Sequence, residues 1–356
     1  MLFNPIYIKG LHIQNRFVRS ATHEWLAEED GTPTSAIGRM YENLAQNEVG
    51  MIITGYSYVN PAGKSSSHQQ GIYDDRFIEP YRHITEQVHK YDSKIALQIV
   101  HGGRQALVTS EYPVTIAPSQ VRDSSSGKVP AAMTEEQIHQ TIEYFAQAVY
   151  RARSAGFDAV QLHLAHGFLL SSFISPYTNR RKDRWGGSVE YRMRIVVEII
   201  KRARALVDED FPIMVKMNAT DGFEGYGLDA PECVEIAVVL EKAGICAIEV
   251  SGGIGEAGEV MSRRAIKSGV NEGYFKDYAR MIKEAVNIPV ILVGGLRSQA
   301  FIEEILYQGY ADMVSLCRPL IREPDLVVKF KEGAGEAECT SCNLCFDEKG
   351  VRCNFQ

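Results

Sequence analysis

Several things this sequence lacks narrow what it can be. No apolar run approaches the roughly 20 residues that cross a bilayer, so a membrane protein of the helical kind is not expected. No Lys/Arg-dense block stands out and the net charge is -7, which argues against a nucleic-acid surface built on clustered positive charge. The opening residues, MLFNPIYIKG, offer neither a charged n-region nor an apolar h-region, so no secretory signal is read there. The seven cysteines are not spread as the staples of a small secreted scaffold would be. Cys233, Cys246 and Cys317 are scattered, and Cys339, Cys342, Cys345 and Cys353 crowd the end of the chain. That arrangement suggests a metal or cluster site in a reducing, cytoplasmic setting. There is no internal repeat and no linker. The expected partner is a small-molecule substrate, with a homo-oligomer also in prospect.

What remains is an ordinary globular composition, 45% apolar and 23% charged over 356 residues, enough chain for one large barrel domain. Short β-branched runs recur at 16–22, 50–56, 94–100, 157–163, 213–219, 247–253, 290–296 and 311–317. Each is nearly continuously apolar, as a strand buried on both faces should be. A helix-length segment follows each run. Thr134 with Gln137, and Asp229 with Glu232, have the spacing of capping boxes. Helix-to-strand links are short (AGFD, DEDFP, AGI, VNIP, QGY), whereas the strand-to-helix links at 101–133, 164–187, 220–228 and 254–271 are long. Eight β-then-α units predict a (β/α)8 TIM barrel, α/β in class, with function gathered on the long loops at the C-terminal face. Composition changes only near Gly333, where EGAGEAE leads into the cysteines. This divides the chain into a barrel over 1–333 and a Cys-rich tail over 334–356.

The strand ends are more polar than packing requires. They carry Ser20-Ala21-Thr22-His23, Thr54-Gly55, Gln98 with His101 and Arg104 after it, His163 with His166, Lys216, Ser251, Gly294-Gly295 and Cys317-Arg318. Glycines admit an anion close to backbone N–H groups, and barrels often bind phosphate after strands 7 and 8, where Arg318 adds a bidentate donor. A tight turn is the plain alternative for the Gly pair. Gln98 offers both a donor and an acceptor to a heteroaromatic edge. Lys216 would stabilise negative charge there, or else snorkel to solvent. For His163 and His166, zinc ligation, core packing and oxyanion donation stand level on residue type alone.

The stretch 163–194, HLAHGFLLSSFISPYTNRRKDRWGGSVEYRMR, resembles the signature of the Old Yellow Enzyme family. So do NRFVRSAT at 15–22, QIVHGGR at 98–104, VKMNATD at 215–221 and ADMVSLCRPLIREPDL at 311–326. The resemblance runs in order along nearly the whole chain. It implies FMN at the strand C-termini, with Ser20, Ala21 and Thr22 along the flavin, His23 near its reactive edge, and Gly55 and Gln98 on the ring. Lys216 would stand by the N1/O2 edge, where many relatives have Arg, and Gly294, Gly295, Cys317 and Arg318 would hold the phosphate. His163 and His166 match the pair that holds the substrate oxygen. The implied reaction passes hydride from NADH or NADPH through the flavin to an activated alkene, with a general acid protonating the α-carbon. One departure matters: where the family has a proton-donating Tyr, this chain has Phe168.

The histidine at position 23 looks like the 2,4-dienoyl-CoA reductase branch. Cys339-x2-Cys342-x2-Cys345 resembles the cluster motif of trimethylamine dehydrogenase, with Cys353 as the fourth ligand earlier than in that relative. Thiolates at this density suit a 4Fe–4S cluster, or zinc, or an unmetallated tail. Three functions follow. One is an NAD(P)H-driven reductase of enones or dienoyl substrates. Another is a dehydrogenase passing electrons through a cluster to an electron-transfer partner. The third is a flavin-free barrel using His163 and His166 as metal ligands for hydrolysis or aldol chemistry.

Overall fold

All eight apolar runs become parallel strands in the computed structural model, which describes residues 1–355. They are β1 (Phe17–Arg19), β2 (Met51–Ile53), β3 (Lys94–Val100), β4 (Ala159–Leu164), β5 (Ile213–Asn218), β6 (Ile248–Ser251), β7 (Val290–Val293) and β8 (Met313–Leu316). Each pairs with the next, and β8 returns to β1 through Val314↔Phe17, Ser315↔Val18 and Leu316↔Arg19, so the sheet closes on itself. The strands are shorter than the apolar runs. The polar residues at the ends of those runs leave the ladder and enter the loops.

The helices between the strands are α1 (Ser35–Gln46), α2 (Ile78–Val88), α3 (Glu135–Ser154), α4 (Val189–Arg204), α5 (Ala230–Lys242), α6 (Lys276–Ala285), α7 (Gln299–Tyr307) and α8 (Leu326–Lys331). Thr134 and Gln137 form a full reciprocal capping box on α3. At α5 only half of the expected box forms. The Asp229 carboxylate accepts from Glu232 N–H, but the Glu232 side chain turns away to pair with Arg192 at 2.8 Å, a stronger partner than a backbone N–H. Two further short helices, Leu169–Ile174 and Arg318–Arg322, ride on the loops after β4 and β8. A two-stranded hairpin before the barrel, Ile6–Ile8 with Leu11–Ile13, escaped the sequence reading. Its turn residues Lys9 and Gly10 both have positive φ, and its side chains Ile8 and Ile13 close the N-terminal end of the barrel.

Side chains alternate across each strand, and this sorts the interior into layers. Outward residues such as Ile95, Leu97, Val160, Leu162, Val215 and Val250 pack against the helices in one large core. Inward, the bottom layer is apolar: Val18, Ala96, Ala159, Met214, Ala247, Ile291 and Met313. Two residues higher the same strands present Gln98, Gln161, Lys216 and Glu249, all buried. Two higher again come His163, Asn218 and Ser251. Polarity therefore rises step by step toward the C-terminal face.

Candidate active site

The middle polar layer is a continuous hydrogen-bonded chain. Gln98 Nε2 donates to Gln161 Oε1 at 2.7 Å, and Gln161 Nε2 donates to Glu249 Oε2 at 2.9 Å. Glu249 Oε1 accepts from Ser20 Oγ at 2.8 Å and from Lys216 Nζ at 3.2 Å. Burial pushes the Glu249 carboxyl up, but Lys216 and the donors around it outweigh burial and hold it below the usual carboxylate range. Lys216 thus does not snorkel; it is an internal counter-ion. Glu249 and Gln161 were missed by the sequence reading, although a Glu inside the run IEVS was a visible signal.

Above this layer opens a cavity of about 260 Å³. Its wall brings together Ser20, Ala21, Thr22 and His23 after β1, Gln98 from β3, His163 and His166 at the end of β4, and Lys216 from β5. Gly294 and Gly295 after β7 and Cys317 and Arg318 after β8 complete the far end. Gly55 is not in the wall. Its N–H is taken by Glu24 Oε1 at 2.8 Å and Tyr41 Oη at 3.0 Å, and a Cβ there would meet the Glu24 carboxylate at 1.9 Å. Tyr56, one residue on, lines the cavity, as do Trp25 and Tyr274, none of which the sequence reading singled out, and Ser251, which it noted as a polar strand end.

The histidine pair is locked. His163 and His166 meet edge to face, centroids 5.0 Å apart. His163 Nδ1 accepts from Ala165 N–H at 3.3 Å, which leaves the proton of the neutral ring on Nε2. His166 has φ of 66°, a left-handed conformation unusual outside glycine. Surrounding bonds enforce it: its N–H donates to Asn218 Oδ1 at 3.2 Å, and its carbonyl accepts from Gln105 Nε2 at 2.8 Å. Its Nε2 meets Ser251 Oγ at 2.8 Å. Burial, with Lys216 nearby, drives both imidazoles well below the ordinary histidine range, so both are neutral at pH 7. Among the described residues no three His, Cys, Asp or Glu side chains converge as a single-ion site, so the pair lacks the third ligand that the hydrolase reading needs.

His23 is also neutral, lowered to about 4 by burial. Its Nε2 lies 3.2 Å from Ser67 O and its Nδ1 accepts from Trp25 N–H at 3.5 Å. At the other end, Gly294 and Gly295 have φ of 136° and 72°. A Cβ on Gly295 would press to 2.8 Å from the Tyr274 ring, so the turn demands glycine. Cys317 Sγ touches Thr22 Oγ1 at 2.9 Å. Arg318 is buried, and its Nη1 donates to Arg263 O, Ser341 O and Asn343 Oδ1 at 2.8, 3.2 and 2.7 Å. The tail is therefore tied to the Gly294-Gly295 end of the cavity through Arg318, and Ser341 and Phe346 form part of the cavity wall.

The chain matches the profile of the family described as NADH:flavin oxidoreductase / NADH oxidase over residues 1–336. It is 39% identical over 347 residues to an "NADH oxidase" of Thermoanaerobacter brockii, covering 96% of this chain but 53% of that protein. To an "NADPH dehydrogenase" of Bacillus subtilis strain 168 it is 34% identical over 324 residues, 91% of this chain and 92% of the relative. Among solved structures, a complex of 2-naphthoyl-CoA reductase with 2-naphthoyl-CoA superposes with a TM-score of 0.88 at 25% identity, over 97% of this chain and 54% of that one. Against the first of these relatives and this structure the chain spans about half the length. It belongs to the NADH:flavin oxidoreductase / NADH oxidase family, the flavin-dependent oxidoreductases of Old Yellow Enzyme type whose signature the sequence carries.

Proposed function

We propose that the chain binds FMN without a covalent link in the 260 Å³ cavity and uses NADH or NADPH to reduce an activated alkene, an α,β-unsaturated carbonyl or dienoyl compound. The residues present fit the cofactor. Gln98 Oε1 is buried and has no partner, an acceptor that a ring N–H would satisfy. Lys216 supplies positive charge at the barrel mouth, and the Gly294-Gly295 turn with Arg318 supplies a phosphate end. When bound, FMN supplies the redox chemistry, taking hydride from the nicotinamide and returning it to the substrate's β-carbon. Ser20, Ala21, Thr22 and His23 would flank the flavin, and Cys317 would stand beside the phosphate.

The observation that carries this reading is the neutral, rigid His163–His166 pair in the same cavity as the phosphate-like turn. Neutral imidazoles with a fixed N–H are suited to donating to a carbonyl oxygen as it gains charge, without the reorganisation that solvent would need. Under anaerobic conditions the purified protein should show a flavin spectrum, bleach with NADH or NADPH, and regain its colour on addition of an enone or dienoyl thioester. A colourless protein that takes up no FMN, or a reduced flavin that no such alkene reoxidises, refutes it.

One observation favours a second reading. Cys339, Cys342, Cys345 and Cys353 line another cavity of about 230 Å³, and Arg318 belongs to the walls of both. The four cysteines line one space, and four thiolates are what a 4Fe–4S cluster takes. The Cys342 thiol is shifted toward thiolate by the Leu344 N–H, whereas burial shifts Cys339 and Cys345 the other way. With a cluster held there, the chain would be a dehydrogenase handing electrons onward to a partner. Flavin reduction by an amine substrate in the absence of nicotinamide distinguishes this reading from the first.

A further inference from the structure

The alkene reduction proposed above needs a proton at the α-carbon, and Phe168 cannot give one. We propose that Tyr56, from the loop after β2, is the general acid. The inference rests on the alkene-reductase reading and adds a catalytic residue to it.

The phenol ring of Tyr56 packs among the groups where the reaction would occur. Its centroid is 5.2 Å from that of Phe168, 6.2 Å from His163 and 5.2 Å from His23. The Phe168 and His163 rings are themselves 5.0 Å apart. A tyrosine ring absent from the β4 loop is thus supplied from the β2 loop, beside the same histidine, with its hydroxyl bonded to Ser65. Tyr56 is a cavity-wall residue, and its carbonyl is fixed by Gln69 Nε2 at 3.1 Å. Burial, and then the Glu24 carboxylate, push its hydroxyl above the ordinary tyrosine range, with the bond to Ser65 pulling the other way, so it is protonated at neutral pH.

The other candidates are spent or misplaced. Tyr274, the other tyrosine in the wall, lies at the opposite end, and its hydroxyl donates to Met261 O at 3.2 Å. Tyr177 meets Phe223 edge to face and Tyr226 stacks on Phe223, both away from the cavity lining. His23 has both nitrogens engaged with backbone. His163 and His166 are required at the substrate oxygen.

The step balances as follows. NAD(P)H provides two electrons and one hydrogen as hydride to the β-carbon, leaving an enolate whose oxygen the histidines hold. The Tyr56 O–H bond breaks, the enolate electron pair forms the new α-carbon C–H bond, and the phenolate recovers a proton from solvent on the Ser65 side. The sum is alkene, NAD(P)H and H⁺ to saturated product and NAD(P)⁺.

The test uses Tyr56→Phe in the FMN-loaded protein, with flavin content and the affinity for a phenolic ligand confirming that the cavity is intact. Reoxidation of the reduced flavin by 2-cyclohexenone should slow by about 10²–10⁴-fold, the usual contribution of a general acid, so that its ratio to the rate of flavin reduction falls at least 10²-fold. Adding Phe168→Tyr to Tyr56→Phe should recover tenfold or more, because the hydroxyl returns beside His163. In the flavin-free protein, the ultraviolet difference between wild type and Tyr56→Phe should show no tyrosinate up to pH 11, and ionisation near pH 10 contradicts the buried acid. Wild-type protein reoxidised by the enone, with Tyr56→Phe equally fast, overturns the assignment. Wild-type protein that no enone reoxidises overturns the alkene-reductase reading itself.

Discussion

Replacing Lys216 by Met tests whether the polar layer inside the barrel is an ion pair holding Glu249 charged. The pair is fully interior, with side-chain exposures of 4% and 0%, and Met matches the stem of Lys while removing the ammonium. Breaking a buried pair from one side costs about 3–5 kcal/mol, because it leaves an uncompensated charge. Glu249 would keep its donors Ser20 and Gln161, which places the expected loss at pH 8 at the lower end, about 3 kcal/mol. That is a large fraction of the roughly 5–15 kcal/mol that holds a domain folded. The pH dependence has a definite sign. In the wild type the folded Glu249 pKa is depressed, so its contribution is present above the unfolded carboxylate pKa and persists at pH 5.5. In Lys216→Met burial is opposed only by the neutral donors, the folded pKa rises above the unfolded one, and the variant regains stability as pH falls through that raised value. Urea unfolding of flavin-free protein at pH 8 and 5.5 should therefore show a deficit that shrinks on acidification. Adding Glu249→Gln, which removes the charge but keeps an acceptor, should restore stability to within about 1 kcal/mol of wild type. A deficit that is the same at both pH values, or one that Glu249→Gln does not relieve, refutes the ion-pair account.

Three other outcomes are expected. Arg318→Ala should weaken FMN binding by roughly 1.5–3 kcal/mol, the range for hydrogen bonds to a charged group, and loosen the tail it anchors; FMN fluorescence titration and limited proteolysis after Lys331 read the two effects. Exchange of His163 and His166 together for Ala should abolish the long-wavelength charge-transfer band of a bound phenol. In wild type that band should show no histidine titration between pH 6 and 8, because burial keeps both rings neutral there, and a transition near pH 6.5 would contradict this. Anaerobic protein reconstituted with iron and sulfide should carry about four irons per chain if the tail binds a 4Fe–4S cluster, and Cys342→Ala should lose them while retaining FMN; iron-free protein after reconstitution removes the cluster.

The barrel was legible because a parallel strand buried on both faces leaves an almost unbroken apolar run, and because short αβ and long βα links betray which end of the strands is the working one. The N-terminal hairpin was not, since three-residue strands around Lys9-Gly10 give too little alternation to read. Among site residues, polar ones set within or at the end of an apolar strand run, such as Lys216 and His163, announced themselves by polarity. Gly55, which the resemblance puts on the flavin ring, gives its N–H to Glu24, a buried carboxylate 31 positions away that also binds Arg19. Sequence order alone does not tell a glycine that admits a ligand from one that admits a neighbouring side chain. Tyr56 was hidden for a related reason: its importance depends on Phe168, which reaches the same spot from a different strand.

The interior layering also explains why these residues are tolerated. Gln98, Gln161, Glu249 and Lys216 occupy positions that an apolar residue could fill at less desolvation cost, and buried pairs are weak evidence for stability. Their network is nearly complete, with one acceptor, Gln98 Oε1, left open toward the cavity. The polar chain thus lacks a single donor, at the buried Gln98 end that borders the cavity. The apolar layer beneath it, closed by Ile8 and Ile13 of the hairpin, keeps water from supplying that donor from below. At the far end Arg318 holds the tail through one nitrogen, Nη1. The fold thus connects three things through few residues: the polar floor, the neutral histidines above it, and a cysteine-lined cavity that shares Arg318 with the first.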